Sequence, residues 1–237
     1  QVGSSAASDV YKRQIFYENN KSWIYCKRVY KKNRSMKLKI CGMKYKDNIS
    51  LISKLNPDYM GFIFYKNSKR FFDNELIPRL NKNIKKVGVF VNPEIEYLNL
   101  IVKKHNLDLV QLHGDETPDL ISKIRDVKII KAFSIDKNFN FNLIENYISC
   151  DYFLFDTKGK LPGGNGICFD WTILTNYKFS KPYFLSGGIG LHNINELKYF
   201  FNSKISKHCF GVDINSHFEI DYAKKDFQLI KNFKNEL

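Results

Sequence analysis

Short apolar runs recur along the chain from residue 36 onward, separated by stretches of mixed polarity. Most of these runs are continuous rather than alternating, which is typical of parallel strands buried on both faces. Eight runs have this character, and we predict a strand at each. The predicted strands are Lys37–Cys41, Tyr59–Phe64, Lys86–Val91, Leu107–Leu112, Lys128–Ser134, Tyr152–Asp156, Tyr183–Ser186 and Cys209–Ile214.

The intervening stretches carry apolar residues three and four positions apart, the spacing of one helix face. Thr117-Pro118 predicts the start of a helix, because threonine is a good N-cap and proline is favoured in the first helical position. The predicted helices are 47–55, 94–105, 117–125, 195–201 and 226–233.

This alternation predicts the fold class. Strands that begin about 20 to 30 residues apart leave room for one crossover between consecutive parallel strands. Eight such units predict a single-domain α/β fold, the (β/α)8 TIM barrel, over residues 36–237. The alternative is an open, doubly wound sheet. Its usual five or six strands would leave two units unexplained, and no G-x-G-x-x-G motif follows the first strand.

Residues 1–35 do not continue the pattern. A small, polar opening leads into a basic and aromatic stretch without a sustained period, and the segment holds eight Lys or Arg against two Asp or Glu. Its longest apolar run, Trp23–Cys26, is too short for the core of a signal peptide. We expect Met36 to be the natural start and residues 1–35 to be a non-native or disordered extension. A basic targeting or nucleic-acid-binding arm is the alternative.

Composition is that of a globular protein, with 43% hydrophobic and 26% charged residues. No apolar stretch approaches the length of about 18 residues that a membrane helix needs. The net charge of +14 makes nucleic acid and an anionic membrane candidate partners. The lysines form no single stripe, so we expect neither partner. Five cysteines without a C-x-x-C pair predict reduced thiols in a cytoplasmic protein.

Polar residues gather at the C-terminal ends of the predicted strands, the rim that holds the active site in barrels of this kind. Gly187 and Gly188 follow the seventh strand, where bare backbone N–H groups suit a phosphate. A structural role is the plainer interpretation of each residue alone, but their convergence favours an enzyme. No set of His, Cys and carboxylates has metal-ligand spacing, so we expect no metal. The other rim residues are Cys41, Ser68, Lys69, Arg70, Asn92, Gln111, His113, Asp115, Asp156, Ser186, Asp213, Asn215 and Ser216.

A glycine-rich loop follows the sixth predicted strand, from Lys158 to Asp170. Four glycines in so short a segment favour a mobile lid or a close approach to a ligand, and a plain surface loop is the alternative.

From about Lys37 to Leu237 the chain resembles the phosphoribosylanthranilate isomerases. Related phosphate-binding barrels share the glycines after the seventh strand, but not K-I-C-G together with Q-L-H-G-D-E. Nine segments match in order: K-I-C-G-M at 39–43, Y-M-G-F-I-F at 59–64, S-K-R-F at 68–71, V-G-V-F-V-N at 87–92, V-Q-L-H-G-D-E at 110–116, L-F-D-T at 154–157, G-G-N-G at 163–166 with F-D-W at 169–171, L-S-G-G-I at 185–189, and G-V-D-I-N-S at 211–216.

The resemblance implies an enzyme of tryptophan biosynthesis, a monomer or homodimer, that acts on a small phosphosugar–anthranilate substrate without metal or organic cofactor. It opens the sugar ring of N-(5-phosphoribosyl)anthranilate and isomerises the resulting imine to a ketose, an Amadori rearrangement. The resemblance implies Cys41 as general base and Asp156 as general acid. We expect the cations of such a site to lower the pKa of Cys41. The implied binding residues are Arg70, Gln111, His113 and Asp213 for substrate, with Arg70 at the anthranilate ring or carboxylate, and Gly187, Gly188, Asn215 and Ser216 for phosphate.

The sequence departs from the family pattern at three places. His217 stands where glycine is usual, Tyr222-Ala223 replace Pro-Gly, and Asn165 replaces Thr or Ser. These changes concern the phosphate loop and the glycine-rich loop rather than the catalytic pair. Two rival hypotheses are a nucleic-acid-binding protein on a degenerate barrel and another sugar-phosphate barrel enzyme. The first would need lysines on one face, and the second would lack the cysteine that ends the first strand.

Overall fold

Eight parallel strands close into a barrel in the order in which they occur along the chain, which confirms the predicted fold. The computed structural model describes residues 36–159 and 168–237. Residues 1–35, for which we expect a non-native or disordered extension, lie outside the described residues. Most of the glycine-rich loop lies outside them as well. The strands are β1 Lys37–Ile40, β2 Tyr59–Ile63, β3 Lys85–Phe90, β4 Leu109–Leu112, β5 Lys128–Ile135, β6 Tyr152–Thr157, β7 Tyr183–Leu185 and β8 Cys209–Ile214.

Closure rules out the open sheet. β8 pairs with β1 in parallel over four residue pairs, with Lys39 opposite Asp213. An open doubly wound sheet would leave two free edges, whereas each of the eight barrel strands has two neighbours.

Within the described residues, five α-helices lie on the outside of the barrel, and each predicted helix has a counterpart. The Thr117 hydroxyl accepts a hydrogen bond from the Leu120 N–H at 3.3 Å, which confirms the predicted cap. That helix ends at Ile121, however, and continues only as turns with i→i+3 bonds up to Ile124. The helices are α1 Lys46–Ser53, α2 Ile95–His105, α3 Pro118–Ile121, α4 Ile194–Phe201 and α5 Phe227–Glu236.

The remaining connections are shorter or irregular. Residues 64–84, between β2 and β3, form neither an α-helix nor a strand. Short 3₁₀ segments stand at Phe141–Tyr147, Trp171–Asn176, Leu191–Asn193, Lys204–His208 and Ser216–Phe218. After β8, a small antiparallel hairpin of β9 (Glu219–Asp221) and β10 (Lys224–Lys225) was not predicted from the sequence.

The inside of the barrel changes from apolar to polar along β4 and β6. Side chains two positions apart point the same way, so each strand contributes successive layers to the interior. Leu109 and Leu154 belong to a buried apolar cluster, and two residues later the same strands present Gln111 and Asp156. The apolar layer therefore supports a polar layer at the C-terminal rim. The members of the apolar layer are Tyr59, Val87, Leu109, Ile130, Ala132, Leu154 and Phe184.

At the opposite, N-terminal rim, three aspartates in equivalent positions each bind the backbone of the preceding strand. Asp58, Asp108 and Asp151 directly precede β2, β4 and β6. Each carboxylate accepts a backbone N–H from the preceding strand, at 2.9, 2.8 and 2.8 Å respectively. Asp108 also accepts Lys85 Nζ at 2.9 Å. These bonds satisfy N–H groups at strand starts, far from the polar layer, so they contribute to stability rather than to chemistry.

We predict that Asp108→Ala destabilises the protein by about 1–3 kcal/mol, because it leaves the partly buried Lys86 N–H without its acceptor. Urea unfolding measures the change. Glu145→Ala is the control, since this exposed carboxylate has no bonded partner among the described residues, and it should shift stability by less than about 0.5 kcal/mol. An equal effect of the two substitutions would contradict the assigned role of Asp108.

Candidate active site

A cavity of about 350 Å³ opens at the C-terminal ends of the strands. Its volume falls within the range of small-molecule sites. Every residue that the sequence assigned to catalysis or binding lines it. These residues are Cys41, Arg70, Gln111, His113, Asp156, Gly187, Gly188, Asp213, Asn215 and Ser216.

Two rim residues singled out in the sequence do not line the cavity. The Asn92 side chain accepts the Asp115 N–H at 2.7 Å, and Asn92 itself adopts a positive φ of 46°. Asparagine tolerates that conformation better than most residues. Asn92 and Asp115 therefore shape the loops that follow β3 and β4 and do not face the cavity.

Cys41 and Asp156 reach the cavity from strands that are not neighbours in the barrel. Cys41 directly follows β1 and is buried, while Asp156 lies near the end of β6 and accepts the Thr157 N–H at 2.9 Å. Gly61 on β2 makes room for the thiol, because a Cβ atom there would lie 2.8 Å from Cys41 Sγ. The cavity thus offers a thiol and a carboxyl group from separate walls.

The Cys41 thiol has a raised pKa, so the expectation of a lowered one was wrong. Burial is the main cause, and the Asp213 carboxylate adds to it. Lys39 and Lys225 act in the opposite direction but do not outweigh the burial. Both cations are already paired with carboxylates, Lys39 with Asp213 at 2.9 Å and Lys225 with Glu219 at 2.7 Å, which reduces their effect on the thiol.

Lys39 and Asp213 form a buried ion pair beneath the thiol. The Lys39 side chain is fully buried and that of Asp213 is 5% exposed. Although burial acts against it, the pKa of Lys39 is raised, because the Asp213 carboxylate and the Cys41 thiol lie beside the ammonium group. Lys39 therefore keeps its charge and would stabilise a thiolate at Cys41.

Gln111 and His113 form a chain of polar groups that leads to Asp156. Gln111 Nε2 donates to His113 Nδ1 at 2.9 Å, which leaves the ring proton on His113 Nε2. His113 Nε2 lies 3.2 Å from Asp156 Oδ2 but makes no hydrogen bond within the described residues, and Gln111 Oε1 has no partner there either. Buried polar groups are seldom left unpaired, so these two atoms are suited to contact a ligand.

The glycines after β7 form the anion-binding end of the cavity. Gly187 and Gly188 have φ values of 86° and 63°, and Gly187 packs so closely on Thr157 that a Cβ would lie 2.2 Å from the threonine hydroxyl. Among the described residues no acceptor receives the N–H groups of Gly187, Gly188 or Ser216. His217, where the family usually has glycine, is exposed, and its ring lies 4.7 Å from that of His192.

Arg70 is held at the other end of the cavity by Glu219. Nε and Nη2 of Arg70 donate to the two carboxylate oxygens at 2.8 and 2.6 Å, a bidentate pair that leaves Nη1 for a ligand. Glu219 Oε1 also accepts Lys225 Nζ at 2.7 Å and the Ala223 N–H at 3.1 Å. Although burial opposes it, Arg70 and Lys225 hold the pKa of Glu219 below its usual range.

Lys225 extends this network to the phosphate loop, since its Nζ donates to the Asn215 side-chain oxygen at 2.6 Å. Burial lowers the pKa of Lys225 to about 8, although Glu219 opposes the change.

Comparison with known proteins shows the family. The N-(5'-phosphoribosyl)anthranilate (PRA) isomerase family matches residues 38–236. The chain belongs to this family. A relative named N-(5'-phosphoribosyl)anthranilate isomerase from Parabacteroides distasonis is 39% identical over 206 residues, which cover 84% of this chain and 91% of the relative. One from Clostridium acetobutylicum is 36% identical and covers 84% and 96%.

Solved structures of PRA isomerases agree with the barrel. The structure of the Thermotoga maritima phosphoribosyl anthranilate isomerase superposes with a TM-score of 0.71 at 28% identity, covering 85% of this chain and 98% of the other. A PRA isomerase in complex with reduced 1-(o-carboxyphenylamino)-1-deoxyribulose 5-phosphate gives a TM-score of 0.69 at 29% identity, covering 85% and 97%. The family resemblance predicted from the motifs is thereby confirmed.

Several residues of this PRA-isomerase-family site had no predicted role in it. Lys39 lies within the K-I-C-G-M motif, but its burial gave no signal in the sequence. Glu219, Tyr222 and Lys225 belong to the hairpin after β8, whose two- and three-residue strands are too short for a pattern. The replacement of Pro-Gly by Tyr222-Ala223 was the only sign in the sequence that this segment differs from the family pattern.

Neither a metal-ligand cluster nor a membrane-spanning helix is found among the described residues. Residues 36–159 and 168–237 contain no cluster of three or more His, Cys, Asp or Glu residues that could hold a metal ion. No helix within the same ranges is long and apolar enough to span a membrane.

We predict that Gly61→Ala lowers kcat by about tenfold to a hundredfold while the fold is kept, because the new methyl group displaces the Cys41 thiol. Steady-state kinetics and thermal unfolding measure the two effects. Gly88→Ala on β3 is the matched control. Its Cβ would meet Leu107 and Phe90 instead, so it should cost stability and spare kcat. A kcat of Gly61→Ala within twofold of wild type would show that the position of the thiol is unimportant.

Proposed function

We propose that this chain converts N-(5-phosphoribosyl)anthranilate into 1-(2-carboxyphenylamino)-1-deoxyribulose 5-phosphate in tryptophan biosynthesis. The observation that carries the proposal is a single cavity, in a member of this family, that presents a thiol and a carboxyl group from separate strands between an anion-binding loop and a cationic end. The PRA isomerase bound to a reduced form of this product supports the assignment of substrate.

Asp156 starts the reaction as the general acid. It donates a proton to the ring oxygen of the ribose while the lone pair of the anthranilate nitrogen breaks the C1–O bond, which yields an open-chain imine. His113 Nε2 lies 3.2 Å from Asp156 without a hydrogen bond to it among the described residues, so it can donate to the substrate beside the acid. Gln111 in turn fixes the His113 ring through its bond to Nδ1.

Cys41 completes the reaction as the general base. It removes the C2 proton of the imine, which gives an enolamine. The enolamine becomes the ketone as C1 takes up one proton and the C2 hydroxyl releases another, so that Cys41 and Asp156 return to their starting protonation states. The hydrogen shift is internal to the substrate, so the equation balances without an oxidant or reductant. The raised pKa of Cys41 means that the neutral thiol predominates before substrate binds. The charged Lys39 beside it lowers the cost of forming the thiolate.

Substrate binding divides between the two ends of the cavity. The phosphate would accept the N–H groups of Gly187, Gly188 and Ser216, with Asn215 held in place by Lys225. The anthranilate carboxylate would lie at Arg70, where Nη1 is open. Asp213 supports the site through Lys39.

We infer a cytoplasmic enzyme that binds its small-molecule substrate and neither nucleic acid nor a membrane, in keeping with the free cysteines of the described residues and its place in amino-acid biosynthesis. For the quaternary structure we keep both the monomer and the homodimer. The Thermotoga maritima isomerase is described as dimeric, and a structure of monomers generated from that dimer is also known.

We predict that Asp156→Asn lowers kcat by about 10² to 10⁴, because the amide cannot donate the proton. The Kd of the reduced product analogue should change little, since shape and hydrogen-bonding reach are kept. Asp136→Asn is the matched control, because Asp136 follows β5 beside the same rim but does not line the cavity, and it should leave kcat within about twofold. A folded wild-type protein without turnover would refute the proposed function. A kcat of Asp156→Asn within threefold of wild type would refute only its role.

A further inference from the structure

Tyr222 occupies the turn of the β9–β10 hairpin, where the family usually has proline. Its side chain is half-exposed and forms part of the cavity lining, next to Arg70 and Lys69. No part of the mechanism above uses it, and an aromatic ring at the mouth of a cationic pocket calls for an explanation.

The hairpin fixes Tyr222 relative to Arg70. The residue after it, Ala223, is fully buried with a φ of 64°, and its N–H donates to Glu219 at 3.1 Å. Glu219 is the same carboxylate that binds Arg70 through two hydrogen bonds. The turn and the guanidinium group are therefore anchored to one buried acceptor, which holds the ring as a wall of the cavity.

Two cations lie against this ring. Lys69 Nζ is 4.3 Å from the ring centroid and donates to the tyrosine hydroxyl at 3.2 Å, and Arg70 Cζ is 5.5 Å from the centroid. Within the described residues Lys69 has no carboxylate partner, whereas Arg70 has Glu219. The ring thus holds an unneutralised ammonium group at the mouth of the cavity, where it can bind an anion.

We propose that Tyr222 is a specificity-determining residue for the aromatic end of the substrate. The phenol ring packs against the aryl ring of an aromatic carboxylate and holds Lys69 where it binds the carboxylate together with Arg70. The inference rests on the proposed function, because it assumes that the aryl group lies at the Arg70 end and the phosphate at the glycine end.

The test compares two ligands on the full-length chain by calorimetry. The reduced product analogue carries an aryl carboxylate and a phosphate, and inorganic phosphate carries no aryl group. Tyr222→Ala should raise the Kd of the analogue about threefold to tenfold, the size of an aromatic packing contact, and leave the Kd of phosphate unchanged. Tyr222→Phe should stay within about twofold of wild type. In turnover, Tyr222→Ala should raise KM more than it lowers kcat.

Tyr45→Ala is the matched control, because Tyr45 is similarly exposed and has Lys44 over its ring at 6.0 Å, but does not line the cavity. It should leave both Kd values unchanged. Lys69→Met provides a second variant should Tyr222→Ala unfold. It should weaken binding of the analogue and not that of the corresponding anilino compound, which lacks the carboxylate.

The outcomes separate the inference from the proposed function. An unchanged Kd of the analogue in Tyr222→Ala, or equal weakening of analogue and phosphate, would overturn the role of Tyr222. Unchanged analogue binding in Lys69→Met would overturn the role of Lys69. A folded wild-type protein that binds phosphate but not the analogue, and does not turn over, would instead overturn the proposed function.

Discussion

The ion pair between Lys39 and Asp213 joins the first and last strands of the barrel and underlies the polar layer of the cavity. The two residues are opposite one another where β1 and β8 pair, with Lys39 Nζ 2.9 Å from the Asp213 carboxylate. Removing one partner of such a buried pair typically costs about 3–5 kcal/mol, because the other charge stays buried and unpaired. The ion pair therefore adds to the backbone pairing that closes the barrel, and it holds the charge beneath Cys41.

A second buried carboxylate organises the rest of the site. Glu219 binds Arg70, Lys225 and the Ala223 N–H, and through Lys225 it reaches Asn215 in the phosphate loop. One acceptor thus fixes both ends of the cavity relative to each other. Asp213 and Glu219 together explain how a site rich in cations stays folded, since each buried cation has a carboxylate partner and hydrogen bonds that compensate for its lost hydration.

The sequence predicted the parts of the molecule that follow a simple period. Continuous apolar runs identified all eight strands. A polar residue at the end of a run lines the cavity where its side chain continues the inward-facing alternation of the strand, as those of Gln111 and Asp156 do. Asn92 is the counterexample, because a local turn with positive φ directs it to the neighbouring loop.

What the sequence did not predict depends on contacts between distant segments. The β9–β10 hairpin is too short to leave a pattern, so the role of Glu219 in holding Arg70 was not visible. The pKa of Cys41 was predicted in the wrong direction, because counting cations ignores both the burial of the thiol and the carboxylates that already pair with Lys39 and Lys225. Electrostatics of this kind follows from three-dimensional pairing rather than from composition.

The proposed reaction depends most directly on Cys41 as the base, and the kcat of Cys41→Ser tests that role. Serine keeps the size and the hydrogen-bonding reach of the side chain, but its hydroxyl is far too weak an acid to supply the anion. We expect kcat to fall by about 10² or more, as for the loss of a general base. Cys168→Ser, at a half-buried cysteine whose thiol contacts the Gly187 carbonyl at 3.1 Å, should stay within a few-fold of wild type. A folded Cys41→Ser variant with a kcat within threefold of wild type would contradict the mechanism.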